Sequence, residues 1–178
     1  MNLLGSRVRI RPTRHEDLPF LQALWNDGSV MRFQGYPEGM HATGEDMERW
    51  WGTLQRARQA HHDLAALPSP HAIVELTDGT PIGELTYSLD AKQRASIDMK
   101  LCQAYWRKGY AAETMTLVMR EFFATTGVKR MIAEPAPENV PARRLMERLG
   151  FHPAPTENHP NRWECERTDF ADAISHAA

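Results

Sequence analysis

The stretch "YWRKGYAAETM" (residues 105–115) places Arg107 and Lys108 directly before Gly109, and an apolar-periodic segment starts straight after Ala111. This pattern predicts a basic glycine turn at the beginning of a helix. The first N–H groups of a helix lack partners within it and carry about half a positive charge, so such a turn suits a phosphate or pyrophosphate. A surface turn with two solvated cations explains the same residues equally well.

The segments on either side of this turn predict a strand, a helix and a second strand. Upstream, "SIDMKL" (96–101) alternates apolar and polar residues, and downstream "KRMIAE" (129–134) is a short apolar run. The helix between them ends at Gly127, and its apolar face consists of Ala111, Met115, Val118, Met119 and Phe122. This order predicts a crossover that joins two parallel strands, with ligands at their carboxyl ends.

Earlier segments of the chain predict antiparallel strands and two helices. "HAIVEL" (71–76) and "IGELTYSL" (82–89) flank an Asp-Gly turn, which is a hairpin signal, and "DAKQR" (90–94) is the polar turn of a second hairpin that leads into "SIDMKL". "RVRIRP" (7–12) predicts a further strand. The predicted helical faces are Leu18, Leu21, Leu24 and Trp25 for a first helix, and Met47, Trp50, Trp51 and Leu54 for a second that begins at Thr43. The polar segment 61–70 is interpreted as a surface connection.

Length, composition and charge limit the classes of protein to which this chain can belong. The chain has 178 residues, of which 42% are hydrophobic, enough for one well-buried domain over residues 1–178. Its formal net charge is -2, so the protein has no overall positive field of the kind that non-specific nucleic-acid binding needs. Cys102 and Cys165 form no CxxC pair, and the adjacent His61 and His62 lack helical metal-site spacing, so neither a disulfide framework nor a metal is expected. With no apolar run long enough for a membrane span and no secretory signal, a cytoplasmic protein is expected.

A second motif follows about thirty residues after the glycine turn. In "ENVPARRLMERLGF" (138–151), Asn139 is a good helix cap, Pro141 is tolerated in the first turn, and Gly150 stops the helix. Together, "WRKGYA" and "NVPARRLMERLGF" resemble the GCN5-related N-acetyltransferase (GNAT) superfamily, in particular its branch of ribosomal-protein N-terminal acetyltransferases. The resemblance covers most of the chain and implies an α/β (α+β) single-domain fold, with a mixed, mostly antiparallel central sheet and helices on both faces.

The same resemblance implies direct transfer of an acetyl group from acetyl-CoA to a primary amine, with no metal. It places the pantetheine between two parted central strands, where a backbone N–H of "SIDMKL" polarises the thioester carbonyl. The implied cofactor-binding residues are Met99 and Leu101 on that strand, the pyrophosphate loop Arg107, Lys108, Gly109, Tyr110, Ala111 and Ala112, and Asn139 and Arg143 of the second motif. Ala142 stands where relatives commonly have a serine, which removes one hydroxyl contact with the cofactor.

The general base is left open among three residues. Glu84 is the first candidate, because a carboxylate held on a sheet near a closed pocket could have a raised pKa. Asp98 is the second and His152 the third, and a water could replace a direct base. No general acid is assigned, since Leu145, Met146 and Phe151 occupy the region where relatives often carry a tyrosine.

The expected partners are acetyl-CoA and an amine acceptor, either a peptide N-terminus or a small molecule, with no nucleic acid or membrane. Acceptor specificity is expected from Arg32, Phe33, Tyr36, Trp50 and Trp51. The resemblance also implies a homodimer, because small enzymes of this type often pair. Two alternatives stay open: a non-catalytic sensor that binds acyl-CoA, and an unrelated α/β nucleotide-binding protein.

Overall fold

The computed structural model describes residues 2–60, 71–90 and 92–175. The predicted surface connection 61–70, with His61 and His62, lies outside the described residues. The strands are β1 Leu3–Leu4, β2 Val8–Pro12, β3 His71–Leu76, β4 Pro81–Leu89, β5 Arg94–Leu101, β6 Arg130–Ala133, β7 His152–Pro153 and β8 Trp163–Glu166. The helices are α1 Leu18–Asn26, α2 Gly28–Met31, α3 Gly44–Ala60, α4 Tyr110–Thr125, α5 Val140–Arg148 and α6 Arg167–Ser175, with single 3-10 turns at His15–Asp17, Arg32–Gln34 and Gln103–Tyr105.

The strands form one mixed sheet in the order β1-β2-β3-β4-β5-β6-β8-β7. Antiparallel pairing runs from β1 to β5, and β8 pairs antiparallel with both β6 and β7. Among the described strands, β5 and β6 are the one parallel pair, and α4 makes the crossover between them. The predicted mixed, mostly antiparallel sheet is therefore confirmed, as are both hairpins and the crossover.

Helices cover both faces of the sheet because successive strand residues point to opposite sides. On β3, Ile73 packs with Leu18 and Leu21 of α1 and Met47 of α3. Its neighbour Val74 belongs to the larger core on the other face. In that core, α4 contributes Met115, Val118, Met119 and Phe122, and α5 contributes Met146.

The local signals for helix starts hold in the structure. The Thr43 hydroxyl bonds the Asp46 carboxylate at 2.6 Å, and the Asp46 amide donates back to the Thr43 hydroxyl at 3.2 Å, directly before α3. Asn139 caps α5 through its Oδ1, which accepts from the Ala142 amide at 3.2 Å.

Sequence patterns did not predict β1, β7 or α6. Strand β8 ends at Glu166, and α6 begins at the next residue.

The sheet parts in its centre. β4 and β5 are in register from Gly83 and Leu101 to Leu89 and Ala95, whereas β5 and β6 are in register only from Arg94 to Ser96. Beyond Ser96, β5 continues without β6 beside it, because β6 ends at Ala133 and the chain leads through Pro135 to α5. This parting creates the space in which the candidate site lies.

Candidate active site

A cleft of about 530 Å³ occupies the space between the carboxyl-terminal half of β5 and helix α5. On the sheet face that carries α1 and α3, its lining is polar, with Gln34, Thr86, Ser88, Ser96 and Asp98, together with Phe33. Elsewhere the lining is mainly apolar, and it includes Ile97, Met99, Met115, Pro135, Ala136, Ala142, Leu145 and Met146. Asn139 lies where the segment after β6 enters α5.

Main-chain donors of β5 face this space. The Cys102 amide donates to the Ile82 carbonyl at 2.9 Å, so these two residues form a hydrogen-bonded pair at the end of the β4–β5 ladder. Hydrogen-bonded and non-hydrogen-bonded pairs alternate along an antiparallel ladder. The N–H groups of Leu101 and Met99 therefore point away from β4, toward the side on which β6 has ended. This geometry suits the roles that the sequence analysis gave Met99 and Leu101.

The glycine turn lies at the carboxyl end of β5 and leads into α4. Arg107 has φ 58° and Gly109 has φ 83°, both in the left-handed region that a glycine adopts at little cost. The first bond of α4 runs from the Glu113 amide to the Gly109 carbonyl at 3.1 Å. The N–H groups of Tyr110, Ala111 and Ala112 precede that bond, so they have no partner within the helix.

Arg7, the residue directly before β2, clamps this turn with its side chain. Its Nη1 donates to the Lys108 carbonyl at 2.9 Å, and its Nε donates to Glu113 Oε2 at 2.9 Å. Its guanidinium also lies 5.0 Å from the centre of the Tyr110 ring, and its Nη2 would lie 3.0 Å from a Cβ on Gly109. A side chain at Gly109 would displace this clamp. Sequence reasoning missed Arg7 and Glu113, because nothing local pairs residues more than a hundred positions apart.

The second motif contributes Asn139 to the cleft but directs Arg143 elsewhere. Since Asn139 caps α5 with its oxygen, its NH2 group supplies two further donors at the cleft wall. Arg143 instead donates to the Pro137 carbonyl at 3.3 Å and lies over the Trp163 ring. Arg143 is absent from the described lining of the cleft, as are Leu101 and residues 107–112.

Asp98 is the candidate base that lines the cleft. Its side chain is 43% exposed, and Gln34 Nε2 donates to its Oδ1 at 3.3 Å. Lys100 Nζ lies 2.5 Å from its Oδ2. Asp98 thus presents a partly solvated carboxylate at the polar wall, beside Thr86 across the ladder.

Glu84 lies beneath that wall and is buried. Its Oε2 accepts hydrogen bonds from Trp25 Nε1 and His71 Nε2, both at 2.9 Å, and Lys100 Nζ lies 3.0 Å from its Oε1. Burial favours the neutral acid, but the bond from His71 and the charge of Lys100 outweigh it and lower the pKa of Glu84 to about 2. The raised pKa expected for Glu84 is therefore wrong, because helix α1 and strands β3 and β5 each supply a partner for the anion.

Most of the remaining sequence candidates lie away from the cleft. His152 is exposed on the edge strand β7, where its Nδ1 lies 3.8 Å from Asp169. Trp50 stacks edge-on against Trp25 and His71, and Trp51 packs in the same cluster beside α1. Of the five residues expected to contact the acceptor, Phe33 is the one in the described lining.

Tyr87 is a cleft residue that sequence reasoning missed. It lines the cleft, and its buried hydroxyl has no hydrogen-bond partner. Burial raises the pKa of this hydroxyl above its ordinary value. A tyrosine on β4 carries no sequence signal that would distinguish it from a core aromatic, and its ring does pack against Phe122 at 5.4 Å.

Neither a metal-binding cluster nor a membrane-spanning helix occurs in the described part of the chain. Within it, His, Cys, Asp and Glu side chains form no group of three or more that could hold a metal ion. No helix within those same residues is both long and apolar enough to cross a membrane.

Residues 7–152 match the family described as acetyltransferase (GNAT) domain. The chain therefore belongs to the GNAT family of acetyltransferases, and it is an N-acetyltransferase. A relative described as an uncharacterized N-acetyltransferase p20, from Bacillus licheniformis, is 26% identical over 152 residues, which cover 84% of this chain and 81% of the relative.

Two solved structures share the fold. Spermidine N-acetyltransferase from Vibrio cholerae, in complex with CoA and spermine, aligns with a TM-score of 0.73 and 18% identity over 94% of this chain and 99% of its own. Aminoglycoside acetyltransferase AAC(6')-Ib, in complex with coenzyme A, aligns with a TM-score of 0.71 and 19% identity over 93% of this chain and 98% of its own. At these identities the likeness concerns the fold alone.

The environment of Glu84 predicts a pH-dependent contribution to stability. Because the pKa of Glu84 is lowered from 4.5 to about 2, its ionised form stabilises the fold fully above 4.5, and this stabilisation is lost as the pH falls toward about 2. We expect Glu84→Gln to lower the free energy of unfolding by on the order of 3 kcal/mol near neutral pH, and by progressively less in acid.

Urea denaturation at a series of pH values measures this difference. Glu16→Gln is the matched control, since Glu16 is an exposed carboxylate paired with Arg14 and such surface pairs contribute little. A loss in Glu84→Gln that stays constant from neutral to acidic pH would contradict the assigned pKa direction.

Proposed function

We propose that the chain, over residues 1–178, is one N-acetyltransferase domain that transfers the acetyl group of acetyl-CoA directly to a primary amine. The observation that carries this proposal is the cleft beside the unpaired half of β5, which brings Met99, Asn139 and Asp98 together. These residues offer a main-chain donor, a side-chain amide and a carboxylate. A hydrogen-bond donor can polarise the carbonyl of a thioester, and a carboxylate can take the proton of an amine.

In this proposal the cofactor enters along the parting of the sheet. Its diphosphate binds the N–H groups at the start of α4, with the charges of Arg107 and Lys108 beside them. The pantetheine arm passes Leu101 and Asn139, and the N–H of Met99 donates to the thioester carbonyl. Such a preorganised donor stabilises a developing oxyanion by roughly 3 to 4 kcal/mol. The amine nitrogen forms a bond to the carbonyl carbon, the C–S bond breaks, and CoA leaves as the thiolate.

The acceptor must lose a proton before or during its attack. At pH 7, deprotonation costs roughly 4.6 kcal/mol for an amine with a pKa of about 10.4, but only about 1 kcal/mol for an α-amine near 7.8. Asp98 is the better receiver of this proton than Glu84, because its carboxylate lines the cleft whereas Glu84 is buried among its three partners.

We further propose that the acceptor is a protein N-terminus or a small-molecule amine. The sequence motifs and the structural neighbours both support this class of acceptor. The two motifs resemble those of the ribosomal-protein N-terminal acetyltransferases, and the structural neighbours include enzymes named for spermidine and aminoglycosides. All of these acceptors present a primary amine, and the carboxylate of Asp98 at a polar wall complements its cationic form.

The alternative is a sensor that binds acyl-CoA without turnover. One observation favours it: Tyr87 is the one tyrosine in the described lining of the cleft, and its hydroxyl is buried, so a proton donor for the departing thiolate is not evident there. Cofactor binding alone would preserve the glycine turn and Asn139. Turnover measurements separate the two functions.

The first test concerns cofactor binding. We expect the double variant Arg107→Glu with Lys108→Glu to weaken CoA binding at least about tenfold, because each charge-assisted contact is worth about 1.5 to 3 kcal/mol. Titration calorimetry measures the affinity. The control is Arg120→Glu with Lys129→Glu, which makes the same change of charge at two exposed residues remote from the turn. Equal affinity in the two double variants would contradict the placement of the diphosphate.

The second test concerns turnover. With acetyl-CoA and a panel of a peptide with a free α-amine, spermidine and an aminoglycoside, we expect thiol release that depends on the amine for at least one acceptor. The same compounds with acetylated amines serve as controls. Mass spectrometry of the product should show one added acetyl group on nitrogen. Binding of acetyl-CoA with no release over the background for any amine would favour the sensor.

The third test concerns Asp98. We expect Asp98→Asn to lower kcat by about 100-fold to 10,000-fold, the range typical for loss of a general base, while CoA affinity is retained. Asp78→Asn, in the β3–β4 turn, is the control for the same chemical change outside the cleft. Unchanged kcat in Asp98→Asn would show that the proton leaves by another route, such as water.

A further inference from the structure

Three charged side chains lie in contact with one another, from the wall of the cleft to a buried position on the same face of the sheet. Lys100 Nζ lies 2.5 Å from Asp98 Oδ2 and 3.0 Å from Glu84 Oε1, so one ammonium bridges two carboxylates. Asp98 and Lys100 are two residues apart on β5, and Glu84 lies opposite Lys100 on β4. Because all three belong to the same face of the sheet, they form a row that runs from the solvent-accessible cleft inward.

The inner end of this row is fixed by three other elements. Trp25 of α1 and His71 of β3 both donate to Glu84, whose side chain is only 2% exposed. His71 Nδ1 in turn lies 2.7 Å from the Thr13 hydroxyl, beyond the end of β2. Glu84 is therefore held by contacts from α1 and β3, and it pairs in turn with Lys100, whose side chain is 12% exposed.

We propose that Glu84 and Lys100 are positioning residues that hold the Asp98 carboxylate at the cleft wall and set its proton affinity. This inference rests on the proposed function, in which Asp98 receives the proton of the acceptor. Glu84 itself never contacts the substrate. It acts through Lys100, because its negative charge offsets part of the ammonium charge that would otherwise act on Asp98.

The charges of Glu84 and Lys100 determine the direction in which each of them acts on Asp98. Lys100 stays protonated, since burial lowers its pKa but the charges of Glu84 and Asp98 raise it by more. With Glu84 ionised, the ammonium of Lys100 is shared between two carboxylates, so less of its positive charge acts on Asp98. The other group that bonds Asp98 is the neutral amide of Gln34, and the other groups that bond Glu84 are Trp25 and His71.

The test changes each charge of the row in turn. Loss of the negative charge in Glu84→Gln leaves Lys100 to act on Asp98 alone, so the pKa of Asp98 should fall by about one pH unit or more. Loss of the positive charge in Lys100→Met should raise the pKa of Asp98 by a similar amount, and Lys100→Arg should largely preserve it. Lys100→Gln repeats the neutralisation should the Met variant not fold.

The readout is independent of turnover. Carbon-13 spectra of the aspartate carboxyl groups report the titration of Asp98, which Asp98→Asn identifies by the missing signal. The acidic limb of kcat/KM should then move in the same direction as each pKa, while CoA affinity stays unchanged. Glu164→Gln is the matched control. Glu164 is a well-buried carboxylate on β8, and it pairs with Arg130 on the neighbouring strand β6.

Opposite shifts in the Glu84 and Lys100 variants support the positioning role, since loss of packing alone would not change sign with the charge removed. Shifts of the same sign, or none, overturn it. The failure of this inference is distinguishable from that of the proposed function. If Asp98→Asn abolishes turnover while the two positioning variants leave the titration of Asp98 unchanged, the function stands and the positioning role is wrong.

Discussion

β5 is paired with β4 along its length but with β6 only between Arg94 and Ser96, and this unequal pairing is the constraint on which the site depends. A buried N–H group without a partner costs about 1 to 3 kcal/mol, so a fold that parts its central strands needs a ligand or water at the opening. In the proposed function, the amide groups along the arm of the thioester cofactor supply such partners. The site is therefore a consequence of where β6 ends.

Both helices that follow these strands begin beside the opening. α4 starts at the glycine turn after β5, and α5 starts at Asn139 after β6. Each start has its own support, the Arg7 clamp for α4 and the Asn139 cap for α5. These side-chain contacts hold the N–H groups at both helix starts in place without a ligand.

The charges beneath the polar wall are costly for a protein interior. Bringing Glu84 and Lys100 out of water carries a desolvation penalty that an ion pair only partly offsets, and an apolar pair of similar size is often as stable. Such a network is better understood through what it does at the cleft than through stability. The Arg11, Asp17 and Glu75 cluster differs, because it joins β2, β3 and the turn before α1 without reaching the cleft.

Local patterns in the sequence determined much of this fold. Alternation in 96–101, the Asp-Gly turn at 78–79, the apolar face of α4 and the Asn139 cap each depend on residues within a few positions of one another, and all are found in the structure. The glycine turn and the crossover likewise follow from local order. β1 and β7, with two residues each, are too short for any periodicity to predict.

Only the tertiary structure decided the chemistry of individual side chains. Glu84 and Asp98 are both strand carboxylates, and nothing in their immediate neighbours shows that one is buried among Trp25, His71 and Lys100 while the other lines the cleft. Likewise, nothing in the residues next to Arg7 or Glu113 shows that these two side chains form an ion pair. A pKa depends on the charges and solvent within a few ångströms, and residues far apart in the chain supply them.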